Sequence, residues 1–199
     1  MRKFLKPFSL LVSFALWTLL ISTVDVQVIG PRDSAVGFAT VNGFIHRLFG
    51  VHMTLYVITD WLGLVPVAVG FGFAIAGLVQ WIKRKNILKV DKRILILGGF
   101  YILTLFAYLL FEEVVINYRP VLIGGYLEAS YPSSTTLLVL CVMPTAAMFS
   151  KNKIIKGIIY GFMAFMVIGR LASGVHWFTD IMGGMLLSAG LVYLYKACT

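Results

Sequence analysis

Arg170, His176 and Asp180 stand in one short segment, Gly169-Arg170-Leu171-Ala172-Ser173-Gly174-Val175-His176-Trp177-Phe178-Thr179-Asp180, between two hydrophobic runs. Ionisable groups at the end of a membrane span are costly and mark functional sites. An arginine supplies fixed charge and a forked set of donors matched to phosphate oxygens. Asp180 follows His176 by four residues, which puts both on one face if a helix has begun. An aspartate that accepts one ring N–H leaves the other nitrogen free to attack, the arrangement of an oriented nucleophile.

Two further polar segments reach the same face of the membrane. Asn117-Tyr118-Arg119-Pro120 ends one hydrophobic run, and Tyr131-Pro132-Ser133-Ser134-Thr135-Thr136 opens the next. Arg119 is a second fixed charge. Pro132 suits a helix start, so Ser133 and Ser134 offer hydroxyls and free backbone N–H groups at a helix N-terminus, an anion site in itself. Taken singly, each feature has a plain structural reading: a snorkelling arginine, a helix cap, an interfacial histidine. Their convergence at one depth carries the functional reading, with Arg119, Arg170, Ser133 and Ser134 as phosphate-binding groups.

The elements that must position these groups are membrane spans. The chain has 199 residues, 60% hydrophobic and 13% charged, with mean hydropathy +0.93. Soluble domains carry about 25% charged residues, so the expected fold is all-α and polytopic, a single integral-membrane domain over residues 1–199. Six spans are expected, at Phe8 to Val24, Trp61 to Ile82, Ile94 to Ile116, Ser133 to Phe149, Ile154 to Ile168 and Phe178 to Leu194. Each approaches the roughly 20 residues needed to cross a bilayer.

An even count puts both termini on one side, and charge says which. Arg2, Lys3, Lys6, Lys83, Arg84, Lys85, Lys89, Lys92, Arg93, Lys151, Lys153, Lys156 and Lys196 share a face, whereas only Arg32, Arg47, Arg119 and Arg170 lie opposite. The positive-inside rule therefore puts both termini in the cytoplasm. The net charge of +9 is a topology signal and argues for no nucleic-acid partner. The first run follows Met-Arg-Lys without a small-residue cleavage pattern, so it reads as a span and not a signal peptide. Cys141 and Cys198 fall at different depths, which argues against a disulfide. In the long outer connection from about Asp25 to Asp60, Phe44, Ile45, Leu48, Phe49 and His52 are spaced like one face of a short interfacial helix; the alternative is a lid over the site.

On these motifs the chain resembles the type 2 phosphatidic acid phosphatases, integral-membrane lipid phosphate phosphatases. The family pattern is Lys, six residues, Arg-Pro; then Pro-Ser-Gly-His or Pro-Ser-Ser-His; then Arg, five residues, His, three residues, Asp. Arg119-Pro120 matches the end of the first motif, Pro132-Ser133-Ser134 the start of the second, and Arg170, His176 and Asp180 the third. The resemblance implies a site at the outer face and hydrolysis with no metal or other cofactor. By the same carry-over His176 attacks phosphorus to form a phosphohistidine, and Asp180 orients it. Arg119, Arg170, Ser133 and the N–H groups near Ser134 hold the phosphoryl oxygens, the main electrostatic task in phosphoryl transfer.

The chain departs from the pattern twice. The family's lysine position holds Glu112, and the catalytic position of the second motif holds Thr135 in place of histidine. Threonine has no useful pKa for protonating a leaving group or activating water. General acid–base catalysis contributes about 10²–10⁴-fold, so a loss of that order is expected. His46 and His52 in the outer loop are weak substitutes. Three accounts fit: a phosphatase disabled at Thr135, a slow enzyme restricted to good leaving groups such as diphosphates, or a non-catalytic lipid-phosphate binder or carrier. The reading adopted is a lipid phosphate phosphatase of a bacterial plasma membrane, with its site outside the cytoplasm. Its partners are the bilayer and a phosphorylated membrane lipid. Candidates implied by the resemblance are phosphatidylglycerol phosphate, phosphatidic acid and undecaprenyl diphosphate.

Overall fold

The computed structural model describes residues 2–199; Met1, at the head of the expected single domain, lies outside them. Eight α-helices follow one another: α1 Arg2–Thr23, α2 Ala39–Phe49, α3 Met53–Leu62, α4 Leu64–Arg84, α5 Lys92–Glu113, α6 Ser134–Phe149, α7 Lys153–Ala172 and α8 Phe178–Cys198. Among the described residues, five helical stretches are long and apolar enough to cross a membrane: α1, the α3–α4 run, α5, α7 and α8. The sixth, α6, is apolar but has only 16 residues, about 24 Å at 1.5 Å per residue. The fold is thus the expected all-α polytopic membrane fold.

α8 lies at the centre, packed along α1 and α6 and flanked by α5 and α7. Small residues make that possible. A methyl built on Gly183 would meet the Tyr131 ring at 2.3 Å, one on Gly184 would meet Thr136 at 3.1 Å, and one on Gly190 would meet Leu11 at 2.7 Å. In a lipid environment helices associate through such close packing. Lys6 Nζ lies 3.9 Å from the Tyr193 ring centroid, which brings both chain ends to one face. At the opposite face Trp17 Nε1 donates to the Thr179 carbonyl at 3.2 Å.

The boundaries differ from expectation in three places. α7 runs to Ala172, so Arg170 sits in the last turn of a helix and not beyond it. Its start is fixed by Asn152, whose side-chain oxygen accepts from Ile154 N at 2.8 Å, satisfying an orphan donor. α5 stops at Glu113, leaving the apolar Val114 to Ile116 outside the helix. The segment before Trp61, expected as loop, is helical as α3 and continues into α4 through Gly63. Hydrophobic periodicity does not separate an interfacial helix from the span it leads into.

The outer connection holds a two-stranded antiparallel pair, β1 Gln27–Val28 with β2 Ala35–Val36, followed by α2. Phe44 and Leu48 face outward while Asn42 is fully buried. Asn42 Nδ2 donates to the Gly37 carbonyl at 2.8 Å and to Thr179 Oγ1 at 2.9 Å, tying α2 to the start of α8. His52, expected on the same face, lies past the end of α2 and precedes α3.

Candidate active site

The three polar segments named from sequence converge where α3, α6, α7 and α8 meet. Asp180 is in the first turn of α8, and its carboxylate has two duties. One oxygen accepts the backbone N–H of Trp177 at 2.9 Å, capping the helix. The same oxygen accepts from Ser130 Oγ at 2.5 Å, and the other accepts from Asn117 Nδ2 at 3.2 Å. The carboxylate is fully buried and supplied with three donors, as a buried charge requires.

His176 precedes α8 in the turn after α7. Its Nδ1 lies 4.0 Å from Asp180 Oδ2, too far for a hydrogen bond. Ser130 Oγ fills the gap at 3.0 Å from Nδ1. The expected direct His–Asp bond is therefore replaced by a relay. Ser130 spends its only proton on Asp180, so its oxygen accepts from Nδ1–H. That tautomer leaves a lone pair on Nε2, and Arg170 Nη2 faces it at 3.4 Å. Burial, then the charges of Arg119 and Arg170, push the His176 pKa well below the ordinary value of 6.5, which favours the neutral form.

Arg119 and Arg170 are both buried. They share one aromatic ring: the Tyr56 centroid lies 5.0 Å from Arg170 Cζ and 6.0 Å from Arg119 Cζ. Arg119 Nε is 3.0 Å from Glu128 Oε2 but is not aligned for a hydrogen bond. Arg170 Nη1 reaches Thr59 Oγ1 at 3.4 Å and Asp60 Oδ1 at 3.7 Å. Among the described residues, Arg119 Nε and Nη1 and Arg170 Nε have no hydrogen-bond partner. Two buried guanidiniums with unspent donors thus lie at one place, a chemistry suited to an oxyanion.

Ser133 and Ser134 divide their work. Ser133 is buried at the head of α6; its N–H donates to the Asp180 carbonyl at 3.1 Å and its hydroxyl accepts from Thr136 Oγ1 at 3.1 Å. Ser134 instead lines two cavities. The smaller, about 10 Å³, is shared with His176, Ser130, Glu112 and Tyr108. The larger, about 870 Å³, runs between α4, α5 and α6. Thr135 and Asp60 stand on its wall, which is otherwise mostly apolar, with Val67, Phe71 and Leu105 among its residues.

The other histidines are spoken for. His46 Nε2 is 3.1 Å from the Gly174 carbonyl and its ring packs on Trp177; His52 Nε2 is 2.8 Å from the Phe49 carbonyl. The turn carrying His176 is held tightly. Gly174 has φ +69, and a methyl there would lie 1.9 Å from the Gly50 carbonyl oxygen. Cys141 and Cys198 are free thiols. No group of three or more His, Cys, Asp or Glu side chains suited to a metal comes together among the described residues. Tyr56, Thr59, Asp60 and Ser130 carry no motif spacing, and only the folded chain places them at the site.

A family model described as PAP2 superfamily matches residues 94–199, just over half of the chain. Phosphatidylglycerophosphatase B of Bacillus subtilis (strain 168) is 38% identical over 76 residues, 34% of this chain and 37% of that protein, so the match spans little more than a third of the relative. A solved structure, the first transmembrane PAP2-type phosphatidylglycerolphosphate phosphatase from Bacillus subtilis, superposes with TM-score 0.58 over 96% of this chain and 94% of that one. At 20% identity it supports the fold.

Proposed function

The chain belongs to the PAP2 superfamily, and from that membership and the site's geometry we propose that it is a lipid phosphate phosphatase working through a phosphohistidine. The observation that carries the reading is the line of contacts from Asp180 through Ser130 to His176 Nδ1, with Nε2 turned to Arg170. In the proposed first half, Nε2 bonds phosphorus while the bond to the leaving lipid oxygen breaks, that oxygen keeping the electron pair. Arg119, Arg170 and the first N–H groups of α6 hold the phosphoryl oxygens, where transition-state charge accumulates. Ser133 shapes the head of α6, and Asp180 steadies the charge that develops on the imidazole.

The substrate is a membrane lipid with its phosphate at the face that carries the site; the excess of Lys and Arg at the opposite face supports a site outside the cytoplasm of a bacterial plasma membrane. The mostly apolar cavity beside Ser134 and Thr135 suits the lipid tail. Thr135 selects among headgroups. An alkoxide needs a proton in order to leave and Thr135 supplies none, whereas a lipid monophosphate leaves from a diphosphate without one. Undecaprenyl diphosphate is therefore favoured over phosphatidylglycerol phosphate and phosphatidic acid, and envelope-lipid recycling is the corresponding process.

The test is phosphate release in detergent from a polyprenyl diphosphate, with and without chelator. His176→Ala is expected to abolish release while lipid binding persists, and Arg170→Ala to weaken binding itself. Release from His176→Ala equal to the parent's would sink the nucleophile assignment. Binding without release in the parent would favour the lipid-phosphate carrier that the loss of the second-motif histidine also allows.

A further inference from the structure

A phosphohistidine must be hydrolysed, and the position to which the family pattern gives the histidine expected to activate water holds Thr135 in this chain. We propose that Asp60 is the general base of the second half-reaction, taking a proton from the water that attacks the phosphoenzyme. The proposal rests on the phosphohistidine reading above.

Four observations place Asp60 there. It lines the large cavity together with Ser134 and Thr135, and it is the carboxylate on that wall. Its Oδ1 is 3.7 Å from Arg170 Nη1, and Nη2 of the same guanidinium is 3.4 Å from His176 Nε2. Nucleophile and carboxylate thus flank the arginine that would hold the phosphoryl group, and the proposed role requires the water that attacks opposite Nε2 to lie within hydrogen-bond reach of Asp60. The side chain is 58% exposed in relative terms, open to the cavity and not consumed by other bonds. Finally, packing sets its position. Thr59 is fully buried and sits so close to α7 that a methyl on Gly169 would meet Thr59 Cγ2 at 2.8 Å. A methyl on Gly63, where α3 passes into α4, would lie 3.7 Å from Thr135 Cγ2, so the helix end that carries Asp60 abuts the position the family gives to histidine.

The water oxygen bonds phosphorus, the P–Nε2 bond breaks with its electron pair returning to Nε2, and one water proton passes to the Asp60 carboxylate. Hydrogen phosphate leaves, and Asp60 then gives the proton to bulk water. Asp60 is needed only after the lipid has gone, so its loss should strand the enzyme as the phosphoenzyme.

The experiment is rapid-quench analysis with a polyprenyl diphosphate labelled at the terminal phosphate, comparing the parent with Asp60→Asn, Asp60→Glu, Glu112→Gln and His176→Ala. Asp60→Asn is expected to form acid-labile, alkali-stable phosphoenzyme as fast as the parent, to accumulate it, and to release phosphate about 10²-fold more slowly, at the low end of general-base effects. Asp60→Glu should restore part of the release. If Asp60→Asn turns over like the parent, or loses the burst along with turnover, Asp60 is not the base. Accumulation in Glu112→Gln instead would assign the role to the smaller pocket and overturn the proposal. Failure of the parent to form phosphoenzyme, with release surviving in His176→Ala, overturns the phosphohistidine reading and this proposal with it.

Discussion

Ser130 Oγ stands between His176 and Asp180, 3.0 Å from the imidazole Nδ1 and 2.5 Å from the carboxylate. The two groups that the motif names are 4.0 Å apart and communicate through a residue it does not name. Tyr131, next in the chain, anchors that serine. Its hydroxyl is 2.7 Å from Thr18 Oγ1, its ring packs between Phe14 and Phe111, and Gly183 leaves the space it occupies.

Ser130→Ala removes the relay and leaves Asp180 with Asn117 and the Trp177 N–H as donors. A hydrogen bond to a charged group is worth roughly 1.5–3 kcal/mol, so kcat should fall about tenfold to a hundredfold with little change in KM, because the Ser130 hydroxyl bonds His176 and Asp180 and not the arginines. Burst kinetics locate the defect: phosphoenzyme formation should slow, and Ser130→Thr should recover part of it. A change confined to KM would place Ser130 in substrate binding instead.

The pH dependence follows from His176. Its folded pKa is depressed below 6.5 by burial and by Arg119 and Arg170. The unfolded chain therefore binds a proton below about pH 6.5 that the folded site refuses, so the unfolded state holds more protons there and stability rises with pH. This contribution is complete above the unfolded value and fades as pH falls through the depressed folded one. His176, the proposed nucleophile, stays neutral over the same window, so the acid limb of phosphoenzyme formation should lie below pH 6.5. Burst rate against pH checks it. Arg119→Ala, which removes one of the two repelling charges, should move that limb toward 6.5.

Gly174→Ala tests the turn that presents His176. The residue has φ +69, and the added methyl would lie 1.9 Å from the Gly50 carbonyl oxygen. A left-handed conformation costs a non-glycine residue about 1 kcal/mol or more, and the collision with rigid backbone adds to it. The melting temperature in detergent should drop, and the α2–α3 link should separate from the turn, freeing the His52 N–H that donates to the Ser173 carbonyl at 2.9 Å. An unchanged melting temperature would mean that this junction is not packed as described.

The spans and the trio Arg170, His176 and Asp180 were legible because hydrophobic runs and fixed spacing are local signals. Span ends were less so. Arg170 reads as the end of a span, yet α7 continues two residues past it, since a buried arginine with polar partners does not stop a helix. The α3 contribution was not legible. Tyr56, Thr59 and Asp60 lie more than a hundred residues before Arg170, and their meeting depends on Gly169 admitting Thr59. Ser130 escaped for another reason. A serine before Tyr-Pro carries no spacing signal, and the 4.0 Å separation that it bridges exists only once the start of α8 is fixed.

Thr135→His separates the two duties of the missing histidine. Thr135 lines the cavity assigned to the leaving lipid, so an imidazole there could protonate an alkoxide as it departs. General-acid assistance is worth about 10²–10⁴-fold. Phosphatidic acid, whose leaving group is an alkoxide, should gain within that range. A polyprenyl diphosphate, whose leaving phosphate needs little protonation, should gain much less in phosphoenzyme formation. Parallel phosphate-release assays on both lipids give the ratio that decides it. Equal gains would mean that the histidine acts on water and not on the leaving group, which would place its work where Asp60 is proposed to act. No gain with either lipid would mean that the wall at Thr135 does not face the departing oxygen, and the lipid tail would then have to lie outside this cavity.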